Sequence, residues 1–204
     1  MKSKIVPAVT VLALSLATSF AQSTATTSTA NGQQPPTIQQ RKSNQQQRIA
    51  NGIDNGSLTA GETKNLERGE ANLNREERGM RAADNGKLTA ADRTRLNQQQ
   101  NALSNKIYAD KHNANNAHYG NNEVGQRRLA QQKRIANGIR SGKMTPGEAT
   151  RTEGKEQHLN RQIAGMRQAN GGKLTPGEHQ KVNQEQNKLS KQIYAQKHNG
   201  KTGF

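Results

Sequence analysis

The chain has 204 residues, with 31 Lys and Arg against 15 Asp and Glu, a formal net charge of +16. It has no Cys, which excludes disulfides, thiolate metal sites and cysteine nucleophiles. Only 29% of residues are hydrophobic and Trp is absent, so little apolar area offsets the ordering entropy, and low stability per folded unit is expected.

Residues 1–21 open with Lys2 and Lys4, continue through a mostly apolar run from Ile5 to Ala17, and end Ser19-Phe20-Ala21. This is the layout of a secretory signal peptide, with cleavage expected between Ala21 and Gln22. The apolar run falls short of the ~20 residues that a bilayer span needs. An exported chain, periplasmic or secreted, is therefore expected. Residues 22–44 are dominated by Ser, Thr, Gln and Pro without a periodic apolar face, and read as a disordered leader. Helices are expected over 44–54, 60–84 and 90–112, making a first module at 45–112. The Asn-rich stretch 113–123 reads as a linker. Helices over 125–140, 146–170 and 176–198 make a second module at 124–198, followed by a tail at 199–204.

The two modules are one unit used twice. Residues 48–114 recur at 134–200 without a gap, and 35 of the 67 aligned positions are identical. Arg48-Ile49-Ala50-Asn51-Gly52-Ile53 returns as Arg134-Ile135-Ala136-Asn137-Gly138-Ile139, and Ile107-Tyr108-Ala109 as Ile193-Tyr194-Ala195. Inside each copy a corner motif, G-x-[LM]-T-x-x-[DE], occurs twice. Thr59, Thr89, Thr145 and Thr175 are N-cap residues, and Glu62, Asp92, Glu148 and Glu178 complete capping boxes three positions on. Pro146 and Pro176 suit the first helical position. Gly56, Gly86, Gly142 and Gly172 suit the left-handed turn that ends the preceding helix. Each motif therefore stops one helix and starts the next.

The apolar stripes are thin. They comprise Leu66, Leu73 and Met80, then Leu96, Leu103 and Ile107, in the first copy. In the second they comprise Leu159, Ile163 and Met166, then Val182, Leu189 and Ile193. Thr152 stands where the first copy has Leu66, which weakens that end. The fold class expected is all-α: two tandem three-helix hairpin or bundle modules behind a disordered N-terminal leader.

Several residues invite a chemical role. The corner motif resembles the second half of an EF-hand calcium loop, with Glu62, Asp92, Glu148 and Glu178 as the acidic ligand. Position three holds Ile53, Ala83, Ile139 and Ala169, which cannot ligate, position one holds Asn51, Arg81, Asn137 and Arg167, and each loop offers at most one carboxylate at a ligating position. The capping box explains the same residues without a metal, so no cofactor is expected, with calcium as the alternative. His112 and His198 end their copies beside Lys111 and Lys197, where a cation complements the helix C-terminus. Tyr108 and Tyr194 are the repeated aromatics, and one ring per module is a poor stacking platform. The runs Asn97 to Ser104 and Asn183 to Ser190 could form interhelical hydrogen bonds, and a solvated polar face is the simpler account. No nucleophile spacing and no phosphate-cradling glycine loop occurs, and no catalytic role is expected.

The string R-I-x-x-G-I-x-x-G-x-L-T-x-x-E, with the later I-Y-x-x-K-H-N, resembles a group of bacterial exported helical-repeat proteins of unassigned activity. The resemblance spans both copies. It implies an envelope or secreted location and transfers no functional residue. Charge gives the leading functional reading. Residues 22–120 hold 13 Lys and Arg against 9 Asp and Glu, net +4; residues 121–204 hold 16 against 6, net +10. An anionic macromolecule or envelope surface is the expected partner, met by Lys133, Arg134, Arg140, Lys143, Lys188, Lys191 and Lys197. The alternatives are a divalent-metal module of degenerate EF-hand type and a structural, stress-related envelope protein.

Overall fold

The computed structural model describes residues 36–203, and these form six α-helices. The helices are α1 (Ile38–Asp54), α2 (Ala60–Ala83), α3 (Ala90–Lys111), α4 (Glu123–Arg140), α5 (Pro146–Ala169) and α6 (Pro176–Lys197). The fold is all-α, two tandem three-helix modules. Residues 1–35, which hold the expected signal peptide and most of the expected leader, lie outside the described residues.

The corners form as their chemistry requires. Thr59, Thr89, Thr145 and Thr175 each cap the next helix, and the acidic residue three positions on reaches back to the cap N–H. Gly56 and Gly142 take φ of +75° and +68°, a conformation that a side chain would strain. Leu58 and Met144, two residues beyond, are fully buried under the turns.

Helix α1 starts at Ile38, inside the stretch expected as a disordered leader. Thr37 and Gln40 make a fifth capping box there. The helix was hidden because its inward face is polar: Lys42, Gln45 and Gln46 are buried. The repeat therefore reaches back to Ile38 and Val124. The polar residues in the runs of the third helices are exposed or half-buried except Gln100 and Gln186, which are buried and bond the first helices. Gln45 Nε2 donates to the Gln100 carbonyl (2.8 Å), and Gln100 Nε2 donates to the Ile38 carbonyl (3.0 Å). Gln131 and Gln186 repeat both bonds at 2.8 and 3.0 Å. These buried amides clamp the first helix to the third in each module, where an apolar chain would use packing.

The modules are not separate bodies. The most extensive packing in the molecule runs between them: α2 lies antiparallel on α5, and α1 meets α4. Helix α3 covers α1 and α2, α6 covers α4 and α5, and α3 does not touch α6. Ile49, Ile53, Leu58 and Leu66 share one core with Ile135, Ile139, Met144 and Ile193. Val124, Leu159, Ile163 and Val182 form a second, smaller cluster. A scarcity of apolar residues is thus met by pooling two half-cores. Thr152 is fully buried in this seam, and its hydroxyl donates to Gln196 Oε1 (2.6 Å).

The linker and tail dock in the same way. Ala117 N–H donates to the Gly56 carbonyl and Gly203 N–H to the Gly142 carbonyl, both at 2.8 Å. Asn113 and Asn199 reach Glu62 and Glu148 Oε1 at 2.8 and 2.6 Å.

Candidate polyanion interface

Three of the basic residues singled out from sequence converge where α4 ends and α6 ends. Arg140, Lys143, Lys197 and His198 line one cleft of about 390 Å³ with Asn137 and Ser141. Arg134 adds charge from behind. Burial pushes the Lys197 ammonium below its ordinary range, and the positive fields of Lys143 and Arg134 push it further the same way. Cations held close enough to disfavour one another form a surface that a bound anion would relieve.

His198 stands at the rim. Its ring lies 4.2 Å from that of Tyr194 at an interplanar angle of 26°. Nδ1 lies 2.7 Å from the Tyr194 carbonyl, which can only accept, so Nδ1 carries the hydrogen. His112 and Tyr108 repeat the arrangement at 4.1 Å and 27°. Tyr194 is 65% exposed and Tyr108 62%, so neither ring packs into the bundle.

Not all seven basic residues offer a free charge at this cleft. Arg140 is not a free charge, because it pairs with Asp54 of the first module and bonds Asn51 and Asn137. Asp54 and Arg140 are equivalent positions, so the repeat has put opposite charges face to face across its own internal symmetry axis. Arg134 Nη2 donates to Ser190 Oγ (2.9 Å). Lys188 pairs with Glu185 (2.8 Å) and lines a different groove, with Lys155 and His158. Lys133 and Lys191 are exposed.

The corner carboxylates are occupied by their caps. Glu62 Oε2 accepts from the Thr59 N–H (2.9 Å), and its Oε1 accepts from Asn113 and Asn115. Burial pushes this carboxyl up, but those hydrogen bonds hold it below the usual carboxylate range. Glu148 repeats the pattern with Thr145 and Asn199. Asp92 and Glu178 cap Thr89 and Thr175. Among the described residues, no three His, Cys, Asp or Glu side chains converge as metal ligands.

Sequence reasoning missed the buried acids. Glu67 and Glu70 on α2, and their equivalents Glu153 and Glu156 on α5, sit almost wholly out of water between the modules. Gln46 Nε2 donates to Glu67 (3.2 Å), and Gln132 Nε2 to Glu153 (3.1 Å), while the other oxygen of each carboxyl finds no partner among the described residues. Burial pushes the Glu67 and Glu153 carboxyls far up, and the neighbouring Glu70 and Glu156 add to it. Burial also pushes Glu70 up to about 8, against the field of Lys42, and Glu156 to about 7, against Arg128 and Arg134. Lys42 does not rescue Glu70, because it bonds Glu77 instead, at 3.0 Å. The signal was available: two acidic residues three apart, identical in both copies, flank the Leu66 and Leu73 stripe.

These four acids matter to the interface. They count in the formal charge but are withdrawn from the surface, so the outside is more cationic than the composition states. Comparison with protein-family models, with curated proteins and with solved structures returns no match.

Proposed function

We propose that the protein is an exported, non-enzymatic basic repeat protein that binds an anionic envelope or extracellular macromolecule at the α4–α6 corner. One observation carries the reading: Lys143 and Lys197 line one cleft that no carboxylate among the described residues lines, with the positive field of Arg134 reaching Lys197. Their ammonium and guanidinium groups would pair with phosphate, sulfate or carboxylate, and the exposed Tyr194–His198 stack offers a flat edge to a base or sugar. Export rests on the sequence of residues 1–21. The resemblance to exported bacterial helical-repeat proteins agrees with that location.

The test is retention of the processed protein on immobilised heparin or DNA across a salt series. Retention that falls steeply between 50 and 200 mM salt, on the order of 10³-fold in affinity for several phosphate contacts, is expected. Absent or salt-insensitive retention rejects the reading.

A further inference from the structure

The internal repeat supplies a control that most structures lack, because each module carries the same trough between its second and third helices. In the first module Leu73 and Leu103 floor a trough of about 260 Å³ between α2 and α3. In the second, the equivalent Leu159 and Leu189 floor one of about 310 Å³ between α5 and α6. The floors match and the rims do not. Gly69, Asn72 and Ala102 on the first rim are replaced by Lys155, His158 and Lys188 on the second. Glu76 is the charged residue of the first rim, and it pairs with Arg95 (2.7 Å).

The second rim is cationic in its field as well as in its residues. Lys188 bonds Glu185 at 2.8 Å, and that bond, with the fields of Lys188, Lys181 and Lys155, holds the Glu185 carboxyl below the ordinary carboxylate range. Lys155 donates to Gln192 Oε1 and has no carboxylate partner among the described residues. From Lys155 the apolar floor runs to Gln162, about 10 Å along α5. That is about the length of an extended eight-carbon chain. Neither end of the processed chain matches this trough. Residues 22–35 hold no acidic residue and no Val, Ile, Leu, Met or aromatic side chain. Phe204 follows Gly203, which bonds Gly142 before α5 begins, whereas the trough opens about two turns into that helix, ~12 Å along its axis.

We infer that the α5–α6 trough binds a single-chain fatty acid, its alkyl chain on Leu159 and Leu189 and its carboxylate at Lys155, with Lys188 in support. Burial of apolar area draws the chain onto the floor, and the head meets an ammonium that no protein carboxylate has claimed. A volume of about 310 Å³ lies at the lower limit of small-ligand sites, which admits one chain and not a two-chain lipid. The rim offers lysine point charges without a guanidinium fork, which suits a monoanionic head better than a phosphate. This site is separate from the α4–α6 corner and does not rest on it.

Octanoate is the probe, titrated into the processed protein and followed by amide NMR shifts, with butanoate and octyltrimethylammonium alongside. Saturable shifts at Leu159, Gln162 and Leu189 are expected, with none of comparable size at Leu73, Gln99 and Leu103. Octanoate should bind about tenfold more tightly than butanoate, since its further methylenes lie on the floor. Lys155 and Lys188 are exposed, so Lys155→Gln with Lys188→Gln leaves folding intact and should weaken octanoate about tenfold. Asn72→Lys with Ala102→Lys, also at exposed positions, should give the first trough the response that it lacks. Lys143→Gln with Lys197→Gln should leave octanoate binding unchanged, so this result and the heparin result can fail independently. The inference is overturned by any of three outcomes: no saturable shift up to about 10 mM, equal affinity for octyltrimethylammonium, or equal shifts in the two troughs of the unaltered protein.

Discussion

Raising the pH should loosen this protein across a range where most proteins are indifferent, and the cause is the seam between α2 and α5. The groups facing that seam are Glu67 and Glu70 on α2, Glu153 and Glu156 on α5, Lys42 on α1, and Arg128 and Arg134 on α4. Glu156 rises from an ordinary 4.5 in the unfolded chain to about 7 in the fold, and Glu70 to about 8. A raised carboxyl contributes its stability in full below pH 4.5 and loses it as the pH climbs through the folded value. At ~1.4 kcal/mol per unit, Glu156 contributes roughly 3 kcal/mol and Glu70 roughly 5. Those are large shares of the 5–15 kcal/mol that typically holds a domain together. For a chain this long, ~1 kcal/mol moves Tm by roughly 2–4 °C, so Glu156 alone implies a fall of roughly 6–12 °C between pH 5 and pH 8.5. Surface repulsion runs the other way, since a basic protein loses positive charge as pH rises. The assay is thermal unfolding by circular dichroism at pH 5, 6, 7, 8 and 8.5. Glu156→Gln and Glu70→Gln should flatten the profile, leaving Tm at pH 5 nearly unchanged and raising it at pH 8.5. A wild-type Tm that stays level or rises over this range refutes the argument.

On the acid side the sign reverses: Glu62 and Glu148 are held below 4.5 in the fold, so the stability they add is present above 4.5 and lost as pH falls through their folded values. A pH series should therefore show Tm dropping below about pH 4, with Glu148→Gln less sensitive there. Gly79 and Gly165 are exposed helix positions where a Cβ would meet nothing within 4 Å, so Gly79→Ala and Gly165→Ala should each add about 0.5–1 kcal/mol in urea unfolding. Gly125→Ala should do the opposite, because its Cβ would strike the linker backbone, and should lower Tm by several degrees. Asp54→Arg puts like charges on the internal symmetry axis and should cost about 1 kcal/mol, since both partners are about one-third exposed. The swap Asp54→Arg with Arg140→Asp should recover most of that loss in a double-mutant cycle.

Much of this architecture could be read from residues alone. The four G-x-[LM]-T corners fixed where helices break, because a left-handed Gly and a Thr cap leave the backbone few options. Leu66, Leu73, Leu103 and Ile107 marked the inward faces, and all are buried. What stayed hidden was polar burial. Lys42, Gln45, Gln46, Glu67, Glu70 and Gln100 look like solvated residues in a linear reading, and they turn inward because helices distant in sequence, within the module and across the seam, cover and bond them. Pairing between copies is non-local, and nothing in the period of one helix states which partner it will meet. The cationic corner was half legible: Lys143 and Lys197 converge as their charge suggested, but Arg140 spends its charge on Asp54, a residue 86 positions away.

The account stands on charge acting from one place, and the salt slope of binding measures that directly. The slope of log affinity against log salt on duplex DNA should shrink by nearly 2 when Lys143 and Lys197 both become Gln, at about 0.9 per phosphate contact. Replacing Lys87 and Lys173 with Gln, which removes the same charge from exposed turns, should leave the slope almost unchanged. Equal losses from both pairs would show that net charge alone attracts the polyanion and that the α4–α6 corner is not its site.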